Sequence, residues 1–211
     1  MQENKNNMNQ YLEKGYVMEN VIPCLRPIGT GKENDYSEKY IDMELYYRVT
    51  VPAESGQIVS FVVTKQLMIA LGLFPEDLRR VAEANARENA KITTMENFFA
   101  SFMWSPNEYP EEAVPLYIVT NADTFNGAGV AICPEVLDRI AKETEARTLI
   151  VIPSSIHEIL VMPVTDSTPG ISEVNRIIKL VNSTVLKEED LLSDHCYIYN
   201  AQTKNLFYKA A

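Results

Sequence analysis

Between Val151 and Val164 the chain reads VIPSSIHEILVMPV, which sets Ser154, Ser155, His157 and Glu158 within five residues between apolar runs. A serine hydroxyl deprotonated by an imidazole, itself oriented by a carboxylate, is the apparatus of nucleophilic acyl or group transfer. One reading is therefore a small-molecule hydrolase or transferase using Ser155 as nucleophile and His157 as base, with Glu158 as the nearest carboxylate. The spacing restricts that reading. Adjacent side chains of an extended strand face opposite sides, so Glu158 does not buttress His157, whereas Ser155 and His157 share a face. The acid must then come from elsewhere, and no G-x-S-x-G elbow supplies an oxyanion hole. A hairpin explains the same residues more simply: Pro153 and Ser154 turn the corner, and the serine hydroxyls bond turn amides.

Other stretches carry weaker signals. Asn121 to Gly129, NADTFNGAG, could cradle an anion on its glycine-rich amides, which makes Asn121, Asn126 and Gly127 ligand-binding candidates; a hairpin turn uses the same residue types. His195 and Cys196 are neighbours and diverge in a strand, and with His157, Cys133 and Asp194 they form no recognised ligand spacing, so neither metal nor cofactor is expected. Gly29 to Lys32, GTGK, is a fragment of a phosphate loop without the full spacing or a preceding buried strand.

The elements that must position these residues follow from periodicity and turn chemistry. Residues 1–40 read as a flexible or loosely structured segment, with Pro23 and Pro27 interrupting the apolar Val21 to Leu25. IDMELYYRVTV and QIVSFVVT, joined by PAESG, predict a hairpin over 41–64. Thr64 caps a short helix ended by Gly72, and Pro75 opens a second with Leu78, Val81 and Ala82 on one face. Thr93 and Glu96 form a capping box for a third, whose Met95, Phe98, Phe99, Phe102 and Met103 read as a stripe packed on a sheet. SPNEYPEEAVP, 105–115, reads as an exposed loop or a linker between subdomains 41–104 and 115–211. PLYIVTN and GAGVAIC predict a hairpin over 115–132, followed by a helix from Pro134 with Val136, Leu137, Ile140 and Ala141 inward. Further hairpins are expected over 147–163 and 195–208, flanking a helix that carries Ile171, Val174, Ile177, Ile178 and Val181. Hairpins alternating with single helices predict an α+β domain over 41–211 with mostly antiparallel sheet.

The quoted order of segments also carries a resemblance. LYIVTNADTFNGAGVAI, PEVLDRIAKE, LIVIPSSIHEILVMP and EEDLLSDHCYIYN, preceded by MELYYRV and SFVVTKQLMIALGLFPEDLRRVAEANA, resemble an uncharacterised bacterial family, a domain of unknown function met in gut-type Gram-positive anaerobes. The resemblance spans about Ile41 to Tyr208. It implies a fold and a bacterial setting and brings no catalytic residue.

Bulk composition narrows the function classes. The 211 residues are 46% apolar with a formal net charge of -10. Arg79 and Arg80 are the only adjacent basic pair, and acids surround them, so direct nucleic-acid binding is not expected. Three widely spaced cysteines, no signal-like N-terminus and no apolar run of about 18 residues predict a cytoplasmic protein without membrane contact. The expectation is a non-catalytic protein-binding or regulatory accessory protein, in one version an acidic inhibitor of a nucleic-acid-handling partner.

Overall fold

The computed structural model describes residues 9–52, 58–101 and 114–209. Its organising strand is β3, Met43–Pro52, in which Met43, Leu45, Tyr47 and Val49 alternate into the core. β1, Val21–Pro27, pairs antiparallel along one edge of β3, from Val21 opposite Val49 to Pro27 opposite Met43. β2, Ser37–Tyr40, and β4, Ile58–Val62, follow one another along the other edge. The hairpin expected over 41–64 is thus present as β3 and β4, and residues 53–57, which hold the rest of its PAESG turn, lie outside the described residues.

Of the segment expected to be loose, 1–40, the described part from residue 9 onward departs from that reading. Helix α1, Lys14–Asn20, buries Val17, and β1 buries Val21, Cys24 and Leu25. The prolines are tolerated because β1 is an edge strand, where a missing N–H removes no ladder bond if it faces outward. Helix α2, Lys65–Leu71, is capped by Thr64, whose hydroxyl accepts from the Leu67 amide, and Gly72 ends it in the left-handed region at φ 57°. Helix α3, Pro75–Glu88, buries Leu78, Ala82 and Ala86, one residue per turn. Asn85 on that helix donates to the Val21 carbonyl at 2.9 Å, tying α3 to β1.

The second sheet has six antiparallel strands in the order β10-β9-β7-β8-β6-β5. They are β5, Ala90–Thr94; β6, Tyr117–Asn121; β7, Thr148–Ile152; β8, Ile159–Pro163; β9, Tyr197–Asn200; and β10, Asn205–Phe207. Helix α4, Met95–Ala100, begins one residue later than the capping box predicts: Thr93 belongs to β5, and Thr94 accepts from the Asn97 amide. Phe98 and Phe99 are not packed away beneath a sheet. They are 40% and 38% exposed and meet edge to face at 5.9 Å; Phe102 and Met103 lie outside the described residues.

The hairpin expected over 115–132 does not form. β6 pairs with β5 and β8, and Gly127–Ile132 is a wholly buried 3-10 segment. Its glycines explain the difference: a Cβ on Gly129 would come within 1.8 Å of the Pro23 carbonyl oxygen, so the segment is pressed against β1 and cannot pair as a strand. Helix α5, Pro134–Glu143, buries Val136, Leu137, Ile140 and Ala141 as expected. Helix α6, Ile171–Thr184, buries Val174 and Ile178 but leaves Ile177 and Val181 44% and 39% exposed.

One hydrophobic cluster runs through both sheets, from Val17 on α1 to Tyr199 on β9. Alternation along β7 divides the second sheet's faces: Leu149 and Val151 join that cluster, while Ile150 joins a smaller one under α6 with Met162, Val174, Ile178, Cys196 and Ile198. This is an α+β fold of two antiparallel sheets sharing a core.

Candidate functional site

The SSIHE stretch lies in the connection between β7 and β8, because β8 begins only at Ile159. Alternation of strand faces therefore does not govern it, and hydrogen bonds fix its shape instead. The Ser155 amide donates to the Glu158 carbonyl at 3.2 Å. The Ser155 hydroxyl accepts from the His157 amide at 3.0 Å, and the Ser154 hydroxyl reaches a Glu158 carboxylate oxygen at 3.4 Å. Ser155 is buried, while His157 is 34% exposed.

Around the His157 ring the partners are a backbone donor and a carboxylate. The Asn126 amide donates to Nδ1 at 3.1 Å, and Nε2 lies 3.3 Å from Asp190 Oδ1. Nδ1 thus accepts, and Nε2 is the ring nitrogen turned toward Asp190. The structure supplies the distant acid that a Ser-His reading demands, but it does not bring the Ser155 hydroxyl to the ring. Both ring nitrogens are engaged, and Ser155 spends its oxygen on the amide of the histidine itself. Glu158 contacts Ser154, not His157.

The three ligand candidates are woven into the same junction. Asn121, at the end of the fully buried β6, closes the following loop by accepting from the Phe125 amide at 3.2 Å and donating to the Phe125 carbonyl at 2.8 Å. Asn126 sits in the left-handed region at φ 51°, and its side-chain oxygen accepts from the Tyr46 hydroxyl at 3.1 Å. Gly127 is required by close approach: a Cβ there would lie 2.1 Å from Thr120 Oγ1, 2.6 Å from the His157 carbonyl oxygen and 2.7 Å from the Asn121 amide nitrogen. Thr120 completes the knot by donating to the His157 carbonyl at 2.7 Å. Together these residues hold the β7–β8 connection, the β6 loop and β3.

The second histidine is engaged in a comparable way. His195 places Nε2 2.8 Å from Asp42 Oδ2 and Nδ1 3.3 Å from the Cys196 carbonyl, while the Tyr197 hydroxyl donates to Asp42 Oδ1 at 2.7 Å. Burial pushes the Cys24 and Cys133 thiols up to about 12, so neither is a ready thiolate. Among the described residues no group of three or more His, Cys, Asp or Glu could hold a metal ion. No helix among them is long and apolar enough to cross a membrane.

Sequence reasoning missed a cleft of about 1040 Å³ beside this junction. The first half contributes Arg26, Tyr46, Arg48 and Val62, and the second contributes Ile156 with Lys187 to Glu189 and Leu191. On one side Arg26 bridges Asp35 at 2.7 Å and Glu44 at 2.8 Å, and its guanidinium lies 4.4 Å over the Tyr46 ring. Burial opposes the charge of Asp35, yet the Arg26 guanidinium and the Lys32 amide hold its carboxyl below the usual range. Two of the GTGK amides go to the same carboxylates and a third closes the turn: Gly29 donates to Glu44, Lys32 to Asp35 and Thr30 to the Pro27 carbonyl. That loop is a carboxylate-bound corner. Only the pairing of Arg26 with residues 9 and 18 positions away creates the wall, and no local motif marks such a pairing.

The fold and site define an α+β protein of two antiparallel sheets, with a cleft between the first sheet and the segments at Ile156 and Lys187 to Leu191 and a histidine knot beside it. The family of unknown function DUF5688 matches residues 33–201, and the chain belongs to that family. No curated protein and no solved structure matches the chain.

Proposed function

We propose that the protein is a non-catalytic binding protein, a regulatory accessory whose partner is another protein seated in the cleft. The observation that carries this reading is the cleft itself, about 1040 Å³ in volume and walled by both halves of the fold. The adjoining histidine supports it, since His157 has both ring nitrogens committed to structural partners and none left to activate a nucleophile. An acidic-inhibitor version rests on the net charge of -10 alone. Exposed carboxylates stand on α3, α4, α5 and α6, on turns at Asp123 and Asp166 and on the 3-10 helix at Glu188, which favours the cleft over a single acidic face as the working surface.

The test is capture of a partner from the host by the tagged protein beside the variant Val62→Trp, which fills the cleft from β4. The expected result is a stoichiometric partner retained by the parent and lost with Val62→Trp at an unchanged melting temperature. Equal retention by both, or no stoichiometric partner, overturns the reading.

A further inference from the structure

The two arginines lining the cleft are held in opposite ways. Arg26 is neutralised by two carboxylates, Asp35 and Glu44. Arg48 is held by neutral oxygens: its Nε donates to the Ser60 hydroxyl at 2.8 Å and its Nη2 to the Ser60 carbonyl at 3.2 Å, and its guanidinium lies 5.8 Å from the centre of the Phe125 ring. Among the described residues none of the ion pairs includes Arg48. A half-buried guanidinium oriented by a neighbouring strand, with N–H groups unclaimed by any carboxylate, is preorganised to receive a planar or tetrahedral oxyanion through paired hydrogen bonds.

We infer that Arg48 is the anchor of the cleft and that it takes one oxyanion carried by a peptide segment of the partner, an acidic or phosphorylated side chain. This rests on the cleft being the partner's seat. Two observations limit the ligand. The whole molecule carries a net charge of -10, which repels a polyanion at long range but costs a single anionic group little once it reaches a local cation. Across the cleft Glu188 and Glu189 stand beside Lys187, which lies 3.9 Å from Glu189, so a second anion reaching that side meets like charge, and the residues that follow the anchor in that direction are neutral or basic. Nucleic acid does not fit those limits, whereas a peptide with one acidic or phosphorylated residue does.

The experiment follows the arginine Nε–Hε and backbone amide signals of the full chain by NMR during titration with three short glycine-serine peptides, acetylated at the N-terminus and amidated at the C-terminus, carrying one glutamate, one phosphoserine or one lysine. The glutamate or the phosphoserine peptide is expected to shift the Arg48 signal saturably, and whichever acts identifies the oxyanion; the lysine peptide is expected to leave it in place. Read on the backbone amide signals of the cleft, which remain when the guanidinium is gone, Arg48→Gln is expected to abolish the response, and Arg48→Lys, which keeps the charge but not the fork, to weaken binding by about tenfold. Failure of both anionic peptides to move Arg48, or binding that survives Arg48→Gln, overturns the inference. Partner capture separates this from the broader reading: retention that is lost with Val62→Trp but survives Arg48→Gln removes the anchor and leaves the cleft as the seat.

Discussion

The protein has two histidines, each beside an aspartate, and the pairs make opposite demands. His157 lies between a donor and an acceptor, the Asn126 amide and Asp190, so a neutral ring satisfies both. His195 lies between two acceptors, Asp42 and the Cys196 carbonyl, and a ring serves both only when it carries two protons. The third group decides the difference. A His-Asp contact is therefore no sign of a catalytic base until the other ring nitrogen has been accounted for.

The comparison can be broken most severely at Gly127. Gly127→Ala drives a Cβ into the Thr120 side chain and the backbone at His157 and Asn121, dismantling the His157 region while leaving His195 alone. A loss of about 3 kcal/mol or more is expected in chemical denaturation, with Ser172→Ala on the exposed side of α6 as the neutral control. Next, His157→Ala strands the Asn126 amide and is expected to cost about 2 kcal/mol, a value read from the same denaturation curves.

A finer cut swaps each acid for its amide. Asp190→Asn keeps an acceptor for the ring and is expected to be mild; Asp42 accepts from the Tyr197 hydroxyl as well as facing His195, so Asp42→Asn should cost about 1 kcal/mol more. Equal costs would erase the distinction between the two sites, and nitrogen-15 shifts of the two rings read it directly.

The smallest effect calibrates both regions against carboxylates that lie outside them. Burial opposes the charge of Asp138, but the Tyr199 hydroxyl and Lys204 hold its carboxyl below the ordinary range, as Arg26 and the Lys32 amide do for Asp35. Their folded-state values lie below the unfolded ones, so the unfolded chain binds more protons as the solution is acidified. The stability they contribute is complete above about pH 4 and is lost as pH falls through the folded value. Asp35→Asn and Asp138→Asn should each start less stable at neutral pH and fall less steeply below about pH 4; curves parallel to the parent would refute this.

Much of the architecture was legible in the sequence, and the failures share a cause. Helices opened by Pro75 and Pro134 appear where expected, as does the β7–β8 pairing, because caps and periodicity are local. β1 was obscured by its prolines, which read as breakers until the strand is known to be an edge. GAGVAIC was misread because small residues serve turns, strands and close contacts alike, and the contact that decides it is with Pro23, distant in sequence. Likewise the candidate serines and histidine were found, but Asp190, Asn126 and Arg48 acquire roles only through separations that no motif encodes.

The prolines of β1 have a further consequence, for association with other chains. An edge strand with free amides is a template on which a second chain can add. Pro23 and Pro27 present no N–H there, and Gly129 lies against the carbonyl of Pro23. Along β1 the sheet is guarded against strand addition by the same residues that made this segment look like a loop.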